Sequence, residues 1–343
     1  MTTDKRSTFR CVRLAAAALA LGFVTSASLA PVSAQDASPV ASPAAAVACV
    51  SPGLPPGTPT PMDDMAGMDM GTPMAVAEAE EVVTGTPADD ATAATIVAEV
   101  ENYFACYNEG QASGDPGLYV ALESNGFVAS QGYATRYDEV EGELGSPFPV
   151  VTLQDVDNAM VWDDGRVSAD VQAMVGDHWY NHWRWFLIEE DGAWKLDERA
   201  DLPPTPDVDF VAVNGINITE TTDEATGGIT YAFESFSGSW DFVQTDAIIF
   251  NFSNSGEEAH EAIVAQLPEG ADPMGLLDGS VDMSQVTFVG GVFDIEPGGS
   301  ADLTLIGLEP GAYTLLCFYP SPDGAPHAAH GMVQQFNIVA PAA

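Results

Sequence analysis

Cys317-Phe318-Tyr319-Pro320-Ser321-Pro322-Asp323-Gly324-Ala325-Pro326-His327-Ala328-Ala329-His330-Gly331-Met332 follows one apolar run, Gly311 to Phe318, and leads into another, Val333 to Val339. A single loop thus offers a thiolate, an imidazole at His327, a competing imidazole at His330 and a soft thioether at Met332. A second imidazole has to come from elsewhere, and Asn254-Ser255-Gly256-Glu257-Glu258-Ala259-His260 offers one at the mouth of a further apolar run. Two histidines and a thiolate with a weak axial thioether suit a one-electron copper centre, because Cu(I) favours sulfur and Cu(II) accepts imidazole.

Around these segments the pattern is all-β. Short runs rich in Val, Ile, Phe and Thr, at 210–220, 229–236, 247–254, 261–266, 291–295, 300–305, 311–318 and 333–339, are separated by Gly, Asp and Pro. They predict a Greek-key β-sandwich over 207–343. Here the chain resembles the cupredoxin (plastocyanin-like) family. Asn254-x-Gly256-x-x-x-His260 is similar to the family's first ligand segment, Gly311-x-Tyr313-x-x-x-Cys317 to its cysteine strand, and His327 with Met332 keeps its H-x4-M spacing. The resemblance implies His260, Cys317, His327 and axial Met332 as ligands of copper cycling between Cu+ and Cu2+. It also implies an electron carrier, with electrons leaving through an exposed, apolar-ringed edge of His327.

The chain departs from that family in three places. Residues 318–326 make a longer loop than plastocyanin-like proteins use, with three prolines and a glycine. His330 is an alternative ligand to His327. Glu261 stands where the family often has an amide bracing the cysteine loop, and a carboxylate there is expected to disturb the hydrogen bonds around the ligands. Taken singly, a strand-end cysteine is a small buried hydrophobe and a histidine after a glycine turn caps a loop. It is the joint order that points to a metal.

Upstream, 91–202 reads as a second globular domain. Ile96, Val97, Val100, Phe104 and Tyr107 recur at helical spacing over 95–110, ending at a glycine. Strand-like runs follow at 150–156, 159–162, 166–175, 179–189 and 194–199, divided by Asp-Gly and Gly-Asp turns. This order, with Trp185-Phe186-Leu187-Ile188 and Gly192-Ala193-Trp194-Lys195-Leu196, resembles the nuclear transport factor 2-like (SnoaL-like) α+β cone. Strand alternation puts His178, Tyr180, His182 and Arg184 on one face. The resemblance implies a pocket there for a small anionic or carbonyl compound; the plainer alternative is the solvated face of a sheet. Leu202-Pro203-Pro204-Thr205-Pro206 predicts a stiff linker between the domains.

The N-terminus carries Lys5, Arg6, Arg10 and Arg13, then an apolar run from Leu14 to Val24, then Val32-Ser33-Ala34. Residues 1–34 therefore read as a signal peptide for export to the periplasm, the cell envelope or the medium, with no membrane span beyond it. Residues 35–90, rich in Ala, Pro and Thr, read as a disordered linker. Within it Met62, Met65, Met68, Met70 and Met74, interleaved with carboxylates, resemble the Cu(I)-capturing tracts of copper-handling proteins. Cys49 and Cys106 are expected as a disulfide or as two quiet thiols, with Cys317 free.

The chain has 9 Lys and Arg against 51 Asp and Glu, and no Lys or Arg follows Arg199. So negative a field argues against nucleic-acid binding and favours a cationic redox partner, or serves solubility. Neither a nucleophile elbow nor a phosphate loop is present, so an electron carrier or copper-binding protein is expected rather than an enzyme. The alternatives are copper capture without redox work and a metal-free envelope module with a small-molecule pocket.

Overall fold

The structure, a computed structural model, describes residue 49 and residues 84–144, 148–223, 225 and 227–341. The expected leader and the methionine tract lie outside the described residues. Cys49 and Cys106 form a disulfide, and Cys317 is a buried free thiol. The last part of the expected linker belongs to the fold: β1 (Gly85–Pro87) pairs with the edge of β2 (Val151–Trp162). No helix among the described residues is long and apolar enough to cross a membrane.

The predicted helix is longer than its apolar spacing suggested. α1 spans Asp90–Ser113, starts at an Asp89 cap that accepts the Thr92 N–H, and stops at left-handed Gly114. Gly110 does not end it. A Cβ there would come within 2.9 Å of the Asp115 carbonyl and 3.0 Å of the Tyr119 ring, so this glycine permits close packing inside the helix. Ile96, Val100 and Phe104 lie on one stripe and are buried.

That stripe covers an antiparallel meander of β2, β3 (Val167–Val175), β4 (Trp179–Glu190) and β5 (Ala193–Asp201). Val171, Ala173, Trp183 and Trp185 meet Val100 and Phe104. The sequence suggested two strands where β2 is one; Asn158 sits at φ 48° and the register shifts between Asp157 and Met160, which breaks the alternation without ending the strand. Three short helices, α2 (Gly117–Val120), α3 (Asn125–Ser130) and α4 (Arg136–Glu143), fill the stretch that read as loop. None is long enough to display a helical period, although Ser124 and Thr135 cap α3 and α4.

The C-terminal part is a β-sandwich. Its strands are β6 (Val211–Thr222), β7 (Ile229–Ser235), β8 (Asp241–Val243), β9 (Ala247–Asn254), β10 (His260–Gln266), β11 (Thr287–Ile295), β12 (Ser300–Ile306), β13 (Gly311–Leu316) and β14 (Val333–Val339). One layer runs β12-β9-β6-β7 and the other β11-β10-β13-β14-β8. β6 and β9 are parallel, as are β14 and β8, because the chain crosses repeatedly between layers. Ile216, Ile218, Phe250 and Phe252 interleave with Val264, Leu315 and Phe336 in one buried core. Each such side chain contributes about 1.5–3 kcal/mol on burial. Apolar packing therefore holds the strands, and they carry the site residues at fixed positions.

The proline-rich segment at 202–206 is irregular, yet the two halves share a sheet. β4 pairs with β12 at Tyr180–Thr304 and Trp179–Leu305, and Trp179 packs its ring near Phe288 and Phe293 of β11.

Candidate metal centre

His260 opens β10 at the end of a tightly bonded loop. Buried Asn254 donates to the carbonyls of Glu258 and Ile295, both at 2.8 Å, and accepts the Gly256 N–H at 2.9 Å. From β6, Glu220 Oε1 accepts the N–H groups of Glu257 and Glu258 at 2.9 and 2.8 Å and lies 3.1 Å from His260 Nε2. A Cβ on Gly256 would stand 2.2 Å from that oxygen, so Gly256 is the residue that admits Glu220.

Cys317 follows β13 and is fully buried. Its N–H donates to the Met332 carbonyl at 3.3 Å and its carbonyl accepts the Ala328 N–H at 2.8 Å. The long loop closes on itself: the His327 N–H donates to the Tyr319 carbonyl at 2.8 Å, and Pro320 pairs with Pro326. Residues 320–326 are thus an excursion that leaves His327 close to Cys317. Met332 is buried in the same core cluster as Cys317, and its N–H donates to the His327 carbonyl at 3.0 Å.

The donors converge. His260 Nδ1 and His327 Nδ1 are 3.0 Å apart and lie 4.0 and 3.5 Å from Cys317 Sγ. These three form a group of ligand atoms within 4.8 Å of one another, all buried. His330 is not among them. Its Nε2 turns outward to Asp323, 3.2 Å from Oδ1, on a partly exposed side chain.

Both imidazoles are backed by carboxylates. His260 Nε2 faces Glu220, and His327 Nε2 is 3.0 Å from Glu258 Oε2. Tyr231 stacks on the His327 ring at 3.9 Å between centroids and donates its hydroxyl to Glu258 Oε2 at 3.1 Å. His327 is 0% exposed, which corrects the expected solvent-facing edge ringed by apolar residues. Its outer nitrogen is capped by a carboxylate and its face by a tyrosine.

Burial pushes the His327 imidazole down to about 3, with the charges of His260 and His330 adding to it. His260 is also lowered by burial, against the pull of Glu220. Burial, with Glu261 adding, pushes the Cys317 thiol well up. Each glutamate oxygen stands where a neutral ring can donate to it from Nε2, an arrangement that turns the Nδ1 lone pair inward. The thiol gives up its proton only where a cation takes its place.

Glu261 does not disrupt the surroundings of the site. Its buried carboxyl, raised to about 8 by burial, accepts the Phe318 N–H at 2.7 Å, and its backbone N–H points at Cys317 Sγ at 3.5 Å. It thus braces the cysteine loop as an amide would.

The donor set fits a first-row ion. Bonds of about 2.0 Å to nitrogen and about 2.3 Å to sulfur separate such donors by about 3–4 Å, the spacing found here. Two imidazoles and one thiolate beside a methionine favour copper.

His178, just before β4, and Tyr180, His182 and Arg184 on it each bond to a different partner. His178 Nδ1 lies 2.9 Å from the Ile306 carbonyl, Tyr180 donates to Gln172 at 2.8 Å, and His182 Nδ1 lies 2.8 Å from the Pro203 carbonyl. Arg184 makes a two-pronged pair with Asp170 at 2.7 and 2.9 Å. On β4, Tyr180, His182 and Arg184 alternate with Trp183 and Trp185, which pack with Val100 and Phe104 of α1, so the three point away from the helix-covered side. Glu220, Glu258 and Tyr231 were missed in the sequence; only Glu258, two residues before His260, carried any hint.

No family model matches the chain, and no curated protein matches it either. Among solved structures it is similar to dithionite-reduced auracyanin from the photosynthetic bacterium Roseiflexus castenholzii, 22% identical over 37% of this chain and 98% of that one, with a TM-score of 0.24. It is similar to auracyanin A, a "blue" copper protein from Chloroflexus aurantiacus, 15% identical over 38% and 100%, TM-score 0.25. It is also similar to the copper protein rusticyanin, 17% identical over 38% and 78%, TM-score 0.27. These neighbours are cupredoxins, and this chain gathers His260, Cys317 and His327, with Met332 bonded beside them, at one end of its own sandwich.

Proposed function

We propose that the chain is an exported type 1 (blue) copper protein that carries single electrons through His260, Cys317, His327 and Met332. The observation that carries this is the convergence of two Nδ1 atoms and one Sγ within 4.8 Å, all buried. Bound copper would supply the one-electron couple. The chain's own residues do the rest. Strands β10 and β13 and the turn at 327–330 hold the donors still, which keeps their rearrangement small when the charge changes. Met332 offers the weak axial thioether, and the surrounding core excludes water.

Export is supported by the Cys49–Cys106 disulfide, a bond that persists in oxidising compartments. A cationic redox partner is supported by the charge: no Lys or Arg follows Arg199. The α+β half, read as a nuclear transport factor 2-like domain, would dock a ligand or partner. α1 lying across the meander supports that assignment.

The test is to express the mature chain, add Cu(II) and record the visible spectrum. The whole chain is used because β12 is bonded to β4. Intense thiolate-to-copper absorption, lost in Cys317→Ser, is expected. A colourless protein holding one copper leaves capture standing and removes the electron carrier.

A further inference from the structure

We infer that Glu220 and Glu258 form a carboxylate clamp that fixes both ligand imidazoles with Nδ1 inward and lowers the reduction potential of the centre. This rests on the copper assignment above. The two glutamates come from different parts of the fold, β6 and the loop before β10, yet each meets the outer nitrogen of one ligand histidine, at 3.1 and 3.0 Å. Neither carboxylate is loosely placed. Glu220 Oε1 is pinned by two backbone N–H groups, and Glu258 Oε2 by the Tyr231 hydroxyl. Gly256 is the space that allows the first of these contacts.

An imidazole can present either nitrogen, and an acceptor fixed at Nε2 selects the form with the proton there and the lone pair on Nδ1. A carboxylate in that role also makes the ring a stronger donor. Its negative charge favours the ion with the larger positive charge, so it stabilises Cu(II) over Cu(I). Two such carboxylates act in the same direction. At His327 the clamp also closes the ring edge, with Tyr231 over its face.

The test uses the full mature chain and the variants Glu220→Gln, Glu258→Gln and Glu258→Ala. Glutamine keeps an acceptor oxygen and removes the charge; alanine removes both. Copper-loaded protein is titrated potentiometrically, Cu(I) and Cu(II) affinities are measured separately, and the metal-free histidines are observed by 15N-resolved NMR. Each glutamine variant is expected to keep its colour and lose about 10- to 100-fold in Cu(II) affinity, with less change for Cu(I). Each tenfold difference raises the potential by about 59 mV. Both wild-type histidines should carry the proton on Nε2, and Glu258→Ala should mix the two forms at His327 alone. Blue wild-type protein whose potential is unmoved in both glutamine variants overturns the clamp and leaves the copper site intact. Wild-type protein that binds no copper overturns the copper assignment instead, and the NMR arm still decides whether the clamp sets the tautomers.

Discussion

His260 Nδ1 and His327 Nδ1 face each other at 3.0 Å across 67 residues of chain, each ring backed on its far side by a glutamate. A third histidine, His330, lies on the same turn as His327 but bonds outward to Asp323. His327→Ala should therefore abolish the visible copper band, whereas His330→Ala should keep it. Absorption after Cu(II) addition decides, and equal loss in both variants would remove the distinction between them.

Met332 is tied by its backbone to Cys317 and His327. Met332→Leu keeps an apolar side chain of similar size and deletes the thioether, so copper and colour should remain. The potential should rise, because losing an axial donor lowers the coordination number, which Cu(I) tolerates better than Cu(II). Voltammetry of the two loaded proteins reads the shift; an unchanged value would show that the sulfur is not a ligand.

Gly256→Ala places a methyl 2.2 Å from Glu220 Oε1. The carboxylate must move, freeing two loop N–H groups and His260 Nε2. Overpacking of this kind costs about 1–3 kcal/mol. The unfolding midpoint should fall, and Cu(II) affinity with it. Unaltered affinity in a folded variant would argue that Glu220 is dispensable.

Glu123 gives the α+β half a pH dependence of its own. The side chain is 2% exposed and accepts the Tyr103 hydroxyl at 2.5 Å. Burial pushes its carboxyl up to about 7, against the opposing hydrogen bonds from Tyr103 and Glu139. An unfolded glutamate titrates near about 4.3, so the folded chain holds the extra proton between those values. Its stabilising contribution is complete below the unfolded value and is lost as pH rises through the folded one. Denaturant midpoints at about pH 5 and about pH 8 should differ more in the wild type than in Glu123→Gln. The acidic surface affects both proteins alike, so parallel behaviour would exclude Glu123 as the source.

The pairing of β4 with β12 bears on any attempt to isolate the sandwich. A fragment of residues 207–343 exposes the β12 edge and strips Trp179 from Phe288 and Phe293. It should unfold at lower denaturant than the same sandwich in the full chain, with the copper band as the common probe. Equal midpoints would mean the shared sheet adds nothing to the sandwich.

Much of this was legible in the residues. The spacing of Val, Ile and Phe runs announced a β-sandwich, and the helical stripe Ile96–Val100–Phe104 announced α1. Cys317, His327 and Met332 were legible as donors because one loop carries all three. The short helices between 117 and 143 were not, since none completes enough turns to show a period. The merged strand β2 was hidden by its irregularity at Asn158.

The sequence by itself determined which donors exist and on which strand ends they stand, because alternation and loop chemistry are local properties of the chain. The tertiary structure alone decided that His327 and not His330 turns inward, that Glu220 and Glu258 back the imidazoles, that Glu261 braces the cysteine loop, and that the two halves share a sheet. Each of these is a meeting of groups far apart in the chain, fixed by backbone pairing and by which side chains have room to approach. Neither leaves a periodic trace in the order of residues.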